Sequence, residues 1–375
     1  MNTAGSMKIL HVVGARPNLM RIGPVMRALE GREGVQQFVI HTGGREPAPP
    51  LRTSGELELP VPDIVLGAAT GAGAARIGRI LIALEPLIDR HRPDWVVTAG
   101  EVDSALAAAL VATKLGAPLA HIEAGLRWGD LTRPEEVNRI LTDRVSRALF
   151  TTEASAGANL AHEGIPPGQV HFTGSVVIDA LDRCIEAARG LEMPGRMGLA
   201  PGSFVLAALQ SPRNTCVRER LQGLLEGLAM VAAECACEVV LPLQAGAAAC
   251  VRRFGLERLL RPLILTEPLT HAEFVGLLDA AGAVVTDSGP IQEETTVLGV
   301  ATVTPDSKTD RPVTVAEGTN RLFDGDPGDL AEIVAECLAS GRTPRRPALW
   351  DGHAGERIAD AVLAAPGRRS AAGAA

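Results

Sequence analysis

Residues 94–123, DWVVTAGEVDSALAAALVATKLGAPLAHIE, contain the pattern from which the fold of the whole chain can be predicted. Two short, mostly apolar runs, 94–100 and 117–123, flank a stretch whose leucines recur near helical spacing. Runs of this kind are typical of strands that are buried on both faces of a parallel sheet. The segment therefore predicts a strand, a helix over 103–115 and a second strand, which together form one β-α-β unit.

The same alternation of short apolar runs and amphipathic stretches continues on both sides of this unit. Before a cluster of Gly and Pro at 191–202, the other strand-like runs are MKILHVVG, FVIHTGG, ALFTT and VHFTG. After the cluster, a second series consists of SFVLAALQ, EVVLPLQ, PLILTEP, GAVVTD and VATVTP. Alternating strands and helices predict parallel sheets, and 375 residues are enough for two ordinary domains. The predicted fold class is therefore α/β, with two domains that face one another.

The predicted domains are residues 1–190 and 191–353, followed by a terminal helix over 354–365 that packs back on the first domain. The last residues, 366–375, are small and polar, which predicts a disordered tail. In open parallel sheets, ligands bind beyond the carboxyl ends of the strands. We therefore expect the functional residues directly after the predicted strands, in a cleft between the two domains.

Composition excludes several classes of partner. The formal charge is -8, aromatic residues make up 3% and Tyr is absent, so nucleic acid is not an expected partner. The N-terminus lacks a signal-peptide pattern and the apolar runs are too short for a membrane span, which predicts a cytoplasmic protein without membrane contact. The six cysteines show no zinc-site spacing. We expect them to be buried free thiols in a reducing compartment, with no bound metal.

Two strand ends combine glycine with groups that favour an anion. In VVGARPN, Gly14 permits a sharp turn and Arg16 begins a helix, and in VVTDSGPIQEE, Ser288 and Gly289 precede another helix. Free N–H groups at a helix start, together with a cation, suit a phosphate. An ordinary strand-to-helix turn with a capped helix also explains each stretch. Arg311, after a later strand, is either a second cation for the phosphate or a residue of a mobile loop.

Carboxylates gather after two other predicted strands. Glu101 follows the strand that ends in TAG, and in HIEAGLRWGDLTRPEEVNRI, 121–140, Glu123 ends a strand while Glu135 and Glu136 begin a helix. Any one of these acids is explained as a solvated residue at a helix start, where the dipole favours it. Several carboxylates that converge with two arginines from adjacent strand ends favour a catalytic site for a sugar.

The order and spacing of these motifs resemble the non-hydrolysing UDP-N-acetylglucosamine 2-epimerases. The resemblance runs from about residue 7 to 365 and rests on GARPN, HTGG, HIEAGLRWGD, RPEEVNR, TDSGPIQEE and DRPVTVAEGTNRL. It implies two Rossmann-like, doubly wound domains that face a central cleft in the GT-B arrangement, a homodimer and no cofactor. It also implies interconversion of UDP-GlcNAc and UDP-ManNAc. UDP would be eliminated to leave a 2-acetamidoglucal, and re-addition would deliver the proton to the other face of carbon 2.

The resemblance also assigns roles by position. The catalytic residues would be Glu101, Glu123, Glu135 and Gln210. The phosphates would be held by Arg16, Ser288, Gly289 and Arg311. Glu294 would bind the ribose and Phe274 would lie against the uracil. The remaining substrate contacts would come from Arg21, Glu136, Arg213 and Pro290.

Several of these positions depart from the family pattern. Glu101 replaces an Asp, which moves the carboxylate by roughly 1 Å and costs about a hundredfold in rate unless the shortened loop after Glu123 compensates. Gln210 replaces a His, so it can donate a hydrogen bond but cannot carry the charge, which Arg213 can supply. Pro290 replaces a Gly and removes one N–H group from the helix start.

Two further departures concern regulation. HTGGR, 41–45, and Gln244 replace polar residues that help bacterial members bind a second, activating UDP-GlcNAc, so we expect no such activation.

Three other functions stay open. A hydrolysing variant would release UDP and free ManNAc. A nucleotide-sugar-binding protein without catalysis is favoured by Gln210 and Pro290 but disfavoured by the retained carboxylates. A glycosyltransferase of the same fold would not need several carboxylates around carbon 2.

Overall fold

Apart from the side chains of Arg16 and Pro17, the computed structural model describes residues 6–14, 16–43, 61–267 and 269–365. The chain forms two compact units. The first unit runs to Ala180 and resumes at Ala348, and the second unit is Leu181–Pro347. The tail predicted over 366–375 lies outside the described residues.

The first unit is built on a parallel sheet of seven strands in the order β3-β2-β1-β4-β5-β6-β7. The strands are β1 Met7–Val13, β2 Val35–His41, β3 Ile64–Val65, β4 Trp95–Ala99, β5 Leu119–Ile122, β6 Ala148–Thr151 and β7 Val170–Phe172. The helices are α1 Arg16–Leu29, α2 Gly73–His91, α3 Asp103–Lys114, α4 Pro134–Val145, α5 Ala154–His162, the start of α6 Val176–Gly190, and a last helix, Ala354–Ala364, with a 3-10 turn at Pro167–Gln169.

The core of the first unit explains why the apolar runs become central strands. Every residue of β4 is buried, and α3 places a row of buried alanines against the sheet. Small side chains let this helix approach the strands closely at native packing density. The last helix packs against α1, where Gly355 touches Pro24, and Asp179 accepts hydrogen bonds from the Ala354 and Gly355 N–H groups at 3.1 and 2.7 Å.

The second unit repeats the architecture with a parallel sheet of six strands in the order β10-β9-β8-β11-β12-β13. The strands are β8 Phe204–Ala208, β9 Glu238–Pro242, β10 Ile264–Thr266, β11 Ala283–Thr286, β12 Ala301–Thr304 and β13 Asn320–Leu322. The helices are α7 Met193–Arg196, α8 Pro212–Thr215, α9 Arg218–Glu234, α10 Ala245–Phe254, α11 His271–Ala280, α12 Gly289–Leu298, α13 Val313–Ala316 and α14 Pro327–Ser340, so the last helix of the chain is α15, and a 3-10 turn lies at Glu257–Leu260.

Each sheet has one point where the strand order reverses, at β1–β4 in the first unit and at β8–β11 in the second. The helical connections leave in opposite directions there, which opens a crevice beyond the carboxyl ends of the two strands. The prediction of an α/β fold with two parallel sheets is confirmed. None of the described helices is long and apolar enough to span a membrane.

Candidate active site

Glu123 lies directly after β5 and is completely buried. Its backbone has φ 62°, in the left-handed region, which costs a residue with a Cβ about 1–2 kcal/mol. The turn brings its Oε1 atom to 2.9 Å from Nε of Arg21 in α1. The strained backbone therefore serves to place a buried carboxylate against a buried guanidinium.

Glu101, after β4, shares the same guanidinium. Its Oε2 atom lies 3.4 Å from Nη1 of Arg21 and 3.2 Å from Nη2 of Arg139 in α4. Gly100 has φ 69°, and a Cβ there would come within 2.3 Å of Arg21 Nη1, so any other residue would strain the backbone and displace the guanidinium. Arg21, Glu101, Glu123 and Arg139, hereafter the carboxylate cluster, thus balance two negative charges with two positive ones.

A buried His-Asp pair contacts the backbone next to the carboxylate cluster. His121 Nδ1 lies 2.6 Å from Asp143 and its Nε2 lies 3.0 Å from the Gly100 carbonyl oxygen, immediately before Glu101. Asp143 also accepts from the Gly125 N–H group at 3.0 Å and pairs with Arg127 at 2.7 Å. Burial alone would raise the pKa of Asp143, but His121, Arg127 and the Gly125 N–H group together lower it. The pair therefore fixes the backbone that carries both carboxylates.

Glu136 holds the loop that precedes α4. Its Oε2 and Oε1 atoms accept hydrogen bonds from the Trp128 and Gly129 N–H groups at 2.9 and 2.8 Å. The guanidinium of Arg133 stacks over the Trp128 ring at 3.7 Å. Both oxygens of Glu136 are thus used inside the protein, and its predicted contact with substrate stays a prediction.

A cavity of about 510 Å³ opens beside the carboxylate cluster in the first unit. Glu101 and the exposed Glu135 line it, together with Asp103 at the start of α3. Asp103 accepts from Arg76 Nε at 2.6 Å and from Asn138 Nδ2 at 3.0 Å. The cavity therefore presents carboxylates held at fixed positions, with a guanidinium on its wall. Among the described residues, no group of three His, Cys, Asp or Glu is placed to hold a metal ion.

In the second unit, Asp287 after β11 organises the segment that follows β8. Its two oxygens accept from the Gln210 N–H group at 2.7 Å, the Ser211 N–H group at 3.1 Å and Asn214 Nδ2 at 2.9 Å. Burial raises the pKa of Asp287 even though these three donors act in the opposite direction. The residue 210–214 segment, with Gln210 and Arg213 exposed on it, is thereby held at the reversal point of the second sheet.

A buried arginine from the segment between β12 and α13 lies beside the start of α12. Arg311 donates to Glu293 from Nε at 2.5 Å and to Asp310 from Nη1 at 2.7 Å, and it is 2% exposed. A Cβ on Gly289 would come within 2.2 Å of Arg311 Nη1, so glycine lets the guanidinium reach the first turn of the helix. A helix start beside a guanidinium suits an anion. The predicted partners Gly289 and Arg311 are thus in contact.

Glu294 directly follows Glu293 in α12, and its carboxyl group has a raised pKa. Burial, and then the negative charge of Glu293, raise the pKa of Glu294 to about 8. Its Oε1 atom lies 3.8 Å from Nε2 of His271. Because a protonated carboxyl can both donate and accept, it suits a hydroxyl ligand.

The other residues with predicted roles occupy these same elements. Ser288 precedes α12, where its N–H group donates to Thr286 Oγ1 at 3.1 Å, and Pro290 lies in the first turn of that helix. Phe274 of α11 is partly buried against the core. Arg16 begins α1, but its side chain lies outside the described part of the structure.

Several residues of this network have no role assigned from the sequence. The candidate motifs include Asp103, Arg139 and Asp287 without giving them a partner, whereas Arg76, His121, Asn138 and Asp143 were missed. A signal exists for two of them, because Asn138 and Arg139 follow Glu135 at i+3 and i+4 and so share its helix face. The long-range partners, such as Arg76 with Asp103, have no comparable signal in the sequence.

The expectation that the cysteines are buried free thiols is correct in one respect and wrong in another. All six are free. Cys184 and Cys337 are buried, but Cys216 is exposed and the other three are partly exposed. Cys216 follows the short helix α8 at the carboxyl end of the sheet, where the chain is at the surface.

Comparison with known proteins gives one consistent family. A sequence model of the family described as UDP-N-acetylglucosamine 2-epimerase matches residues 27–363. The UDP-N-acetylglucosamine 2-epimerase of Methanococcus maripaludis is 32% identical over 363 residues, with 95% of this chain and 98% of that protein covered. The UDP-2,3-diacetamido-2,3-dideoxy-D-glucuronate 2-epimerase of Pseudomonas aeruginosa is 33% identical over 365 residues, with 94% and 99% covered.

Solved structures agree with the sequence matches. The Methanocaldococcus jannaschii UDP-GlcNAc 2-epimerase in complex with UDP-GlcNAc and UDP superposes with a TM-score of 0.87 at 30% identity, with 96% of this chain and all of that chain (100%) covered. The Neisseria meningitidis UDP-GlcNAc 2-epimerase bound to UDP-GlcNAc gives a TM-score of 0.83 at 25% identity, with 95% and 100% covered.

Proposed function

The chain belongs to the UDP-N-acetylglucosamine 2-epimerase family, and from this premise we propose that it epimerises carbon 2 of UDP-GlcNAc to give UDP-ManNAc. The observation that carries the proposal is the carboxylate cluster, in which Glu101 and Glu123 share the guanidinium of Arg21. A binding protein would have no need of several carboxylates beside the sugar cavity. An enzyme that moves a proton on the sugar needs them.

The chemistry explains why carboxylates and phosphate-binding groups must occur together. The hydrogen on carbon 2 of an N-acetylhexosamine has no adjacent carbonyl and is barely acidic. Departure of UDP from carbon 1 makes an oxocarbenium-like centre, and a carboxylate can then remove the proton. Re-addition of UDP with protonation on the opposite face completes the inversion. Positive groups at the diphosphate stabilise its departure, and the carboxylates act as base and acid.

We assign the direct contacts with the sugar to Glu101 and Glu135, because both line the cavity. Arg21 and Arg139 stabilise the negative charge that a base at Glu101 requires. Glu123 is fully buried against Arg21, and its direct role in proton transfer stays a prediction. In the proposed reaction Glu123 fixes Arg21, and Arg21 fixes Glu101.

We assign the nucleotide to the second unit. The α12 start with Ser288, Gly289 and Arg311, and the Gln210 segment held by Asp287, offer donors for a diphosphate. Glu294 offers a neutral carboxyl for the ribose hydroxyls, since burial raises its pKa to about 8. Phe274 against the uracil, and Arg16, Arg213 and Pro290 as further contacts, stay predictions.

A UDP-uronate is the second candidate substrate. The Pseudomonas relative is named for such a sugar. Arg76 places a guanidinium with 41% of its side chain exposed on the cavity wall, paired with Asp103. A carboxylate on carbon 6 of a uronate would find a positive group there. Substitution of Arg76 by Met should lower turnover of the uronate more than turnover of UDP-GlcNAc, whereas the control Arg79→Met on the same helix should change neither.

The proposal is tested by incubating the purified chain with UDP-GlcNAc, and separately with UDP-2,3-diacetamido-2,3-dideoxy-D-glucuronate, and by separating the nucleotide sugars by anion exchange. We expect UDP-ManNAc from the first substrate. Turnover of the uronate alone would select the second candidate. Accumulation of UDP with free ManNAc would instead show the hydrolysing variant, and unchanged substrate with tight binding would show a nucleotide-sugar-binding protein.

Two further expectations accompany this proposal. The homodimer implied by the family resemblance is a prediction that sedimentation equilibrium of the purified chain tests. The cytoplasmic location is a prediction that fractionation of the source cells tests.

A further inference from the structure

Cys216 and Cys250 form a pair of thiols that the proposed reaction does not use. Their Sγ atoms are 3.5 Å apart, although the two residues are 34 positions apart in the chain. Cys216 directly follows α8 and is exposed, while Cys250 lies in α10 and is partly exposed. Two accessible sulfurs from different elements in van der Waals contact can be joined to each other, whereas a single surface cysteine has no such partner.

The geometry requires only a small movement to join the two sulfurs. A disulfide has an S–S distance of about 2.05 Å, so side-chain rotation must close the observed 3.5 Å gap. Cys216 lies at the end of α8 and Cys250 lies in the middle of α10, and these two helices pack against each other.

The other four cysteines are poorer candidates for reaction with an oxidant. Burial is the first cause of a raised pKa at Cys184, Cys235, Cys237 and Cys337, which lowers the fraction of reactive thiolate. Cys250 differs, because its pKa is raised first by the hydrogen bond that it donates to Cys216. Cys216 is the more exposed of the two residues, so an oxidant in solution reaches its sulfur first.

We propose that Cys216 and Cys250 are a redox-active dithiol, a modification site at which low-molecular-weight disulfides close an intramolecular disulfide. The Cys216 thiolate attacks one sulfur of the oxidant, forms a mixed disulfide and releases one thiolate. Cys250 then loses its proton and attacks the Cys216 sulfur, which releases the second thiol. The two protein thiols give up two electrons and two protons, and the oxidant is reduced to two thiols. This proposal does not depend on the catalytic activity of the chain.

The two cysteines lie in the segments that follow β8 and β9 of the second unit. Cys216 adjoins the 210–214 segment whose backbone Asp287 holds. Cys250 lies in the helix that follows β9. The disulfide would therefore tie this segment to α10 and restrict the unfolded chain, so we expect the oxidised protein to unfold at a higher temperature than the reduced protein.

The test uses the fully reduced, full-length chain treated with oxidised glutathione, followed by alkylation, mass spectrometry and peptide mapping. We expect loss of two alkylatable thiols, a linked pair of peptides containing Cys216 and Cys250, and reversal by a reducing agent. Cys250→Ser should stop at a glutathione adduct on Cys216, whereas the control Cys235→Ser should behave like the unchanged chain. A persistent glutathione adduct on the unchanged chain, or a link between Cys235 and Cys237 alone, would overturn the proposal. The thermal midpoint of Cys216→Ser, unaltered by the oxidant, checks that the shift comes from this disulfide.

Discussion

The carboxylate cluster of the first unit and the charged start of α12 in the second unit differ in how their acidic side chains are paired with guanidiniums. In the first, two carboxylates from two loops are matched by two guanidiniums from two helices. In the second, Arg311 is matched by Glu293 and Asp310, and the neighbouring Glu294 has its pKa raised to about 8. Two guanidiniums lie within reach of the carboxylates in the first unit, whereas burial, and then the negative charge of Glu293, keep Glu294 largely neutral at pH 7. A charged acid suits a proton acceptor, and a neutral acid suits a hydroxyl ligand.

The largest expected effect is at Glu101, the carboxylate that we propose as the base in the sugar cavity. Glu101→Gln keeps the size of the side chain but removes the base, so we expect turnover to fall by about 10²–10⁴-fold. Steady-state rates of UDP-ManNAc formation measure this. The matched variant Glu101→Asp keeps the charge and should lose about a hundredfold through displacement of the carboxylate. Equal or higher activity of the Asp variant would contradict the idea that the rest of the site has adjusted to the longer side chain.

The next effect concerns the stability of the carboxylate cluster. Arg21→Met leaves Glu123 buried without its guanidinium, and removing one partner of a buried pair costs about 3–5 kcal/mol. Arg21 and Glu123 have side-chain exposures of 6% and 0%, so solvent screens this pair little. Urea unfolding of the full-length chain measures the loss. The double variant Arg21→Met/Glu123→Gln should recover part of it, and identical losses in the single and double variants would speak against charge compensation.

A smaller effect, opposite in sign, is expected at Glu294. Its pKa is raised from 4.5 to about 8, so above pH 4.5 the unfolded chain ionises this group while the folded protein does not. Its contribution to stability is therefore fully present below pH 4.5 and is lost as the pH rises towards 8. Glu294→Gln removes this loss. The melting temperature of the variant, minus that of the unchanged chain, should therefore increase from pH 5 to pH 8.

The control for this prediction is the adjacent buried acid. Glu293→Gln removes the partner of Arg311, so it should be destabilising at every pH in this range. A difference between Glu294→Gln and the unchanged chain that does not vary with pH would count against the raised pKa.

The smallest effect is expected in the shape of the kinetics. Gln244 precedes α10, and the predicted loss of a second nucleotide-sugar site rests on that position and on HTGGR, of which Gly44 and Arg45 lie outside the described residues. We expect a hyperbolic dependence of rate on UDP-GlcNAc, and conversion of UDP-ManNAc without added UDP-GlcNAc. A sigmoidal curve would show that activation has survived.

The fold and the candidate site were not equally predictable from the sequence. The strands 94–100 and 117–123 and the helix between them are local patterns, and the structure has them as β4, β5 and α3. The positions of the charged residues after the strands follow from the same patterns, because parallel strands end at one edge of a sheet. The sequence therefore shows where acids gather.

The sequence does not show which acid pairs with which cation. The predicted contact of Arg21 with substrate stays a prediction, and no sequence pattern indicates that its guanidinium joins Glu101 and Glu123, which lie about 80 and 100 positions away in the chain. The motif RPEEVNR does not distinguish Glu136 from Glu135. One residue further along the helix, Glu136 points in another direction and accepts hydrogen bonds from the Trp128 and Gly129 N–H groups. Such pairings depend on tertiary contacts, which no local period encodes.

The most direct test of the proposed epimerisation follows the proton on carbon 2. The purified chain would be incubated with UDP-GlcNAc in deuterated water, and the sugar would be followed by proton and phosphorus NMR. We expect UDP-ManNAc with deuterium at carbon 2, because a carboxylate removes the original proton and the solvent supplies its replacement. Formation of UDP-ManNAc that retains the original hydrogen would contradict proton removal by the carboxylate cluster.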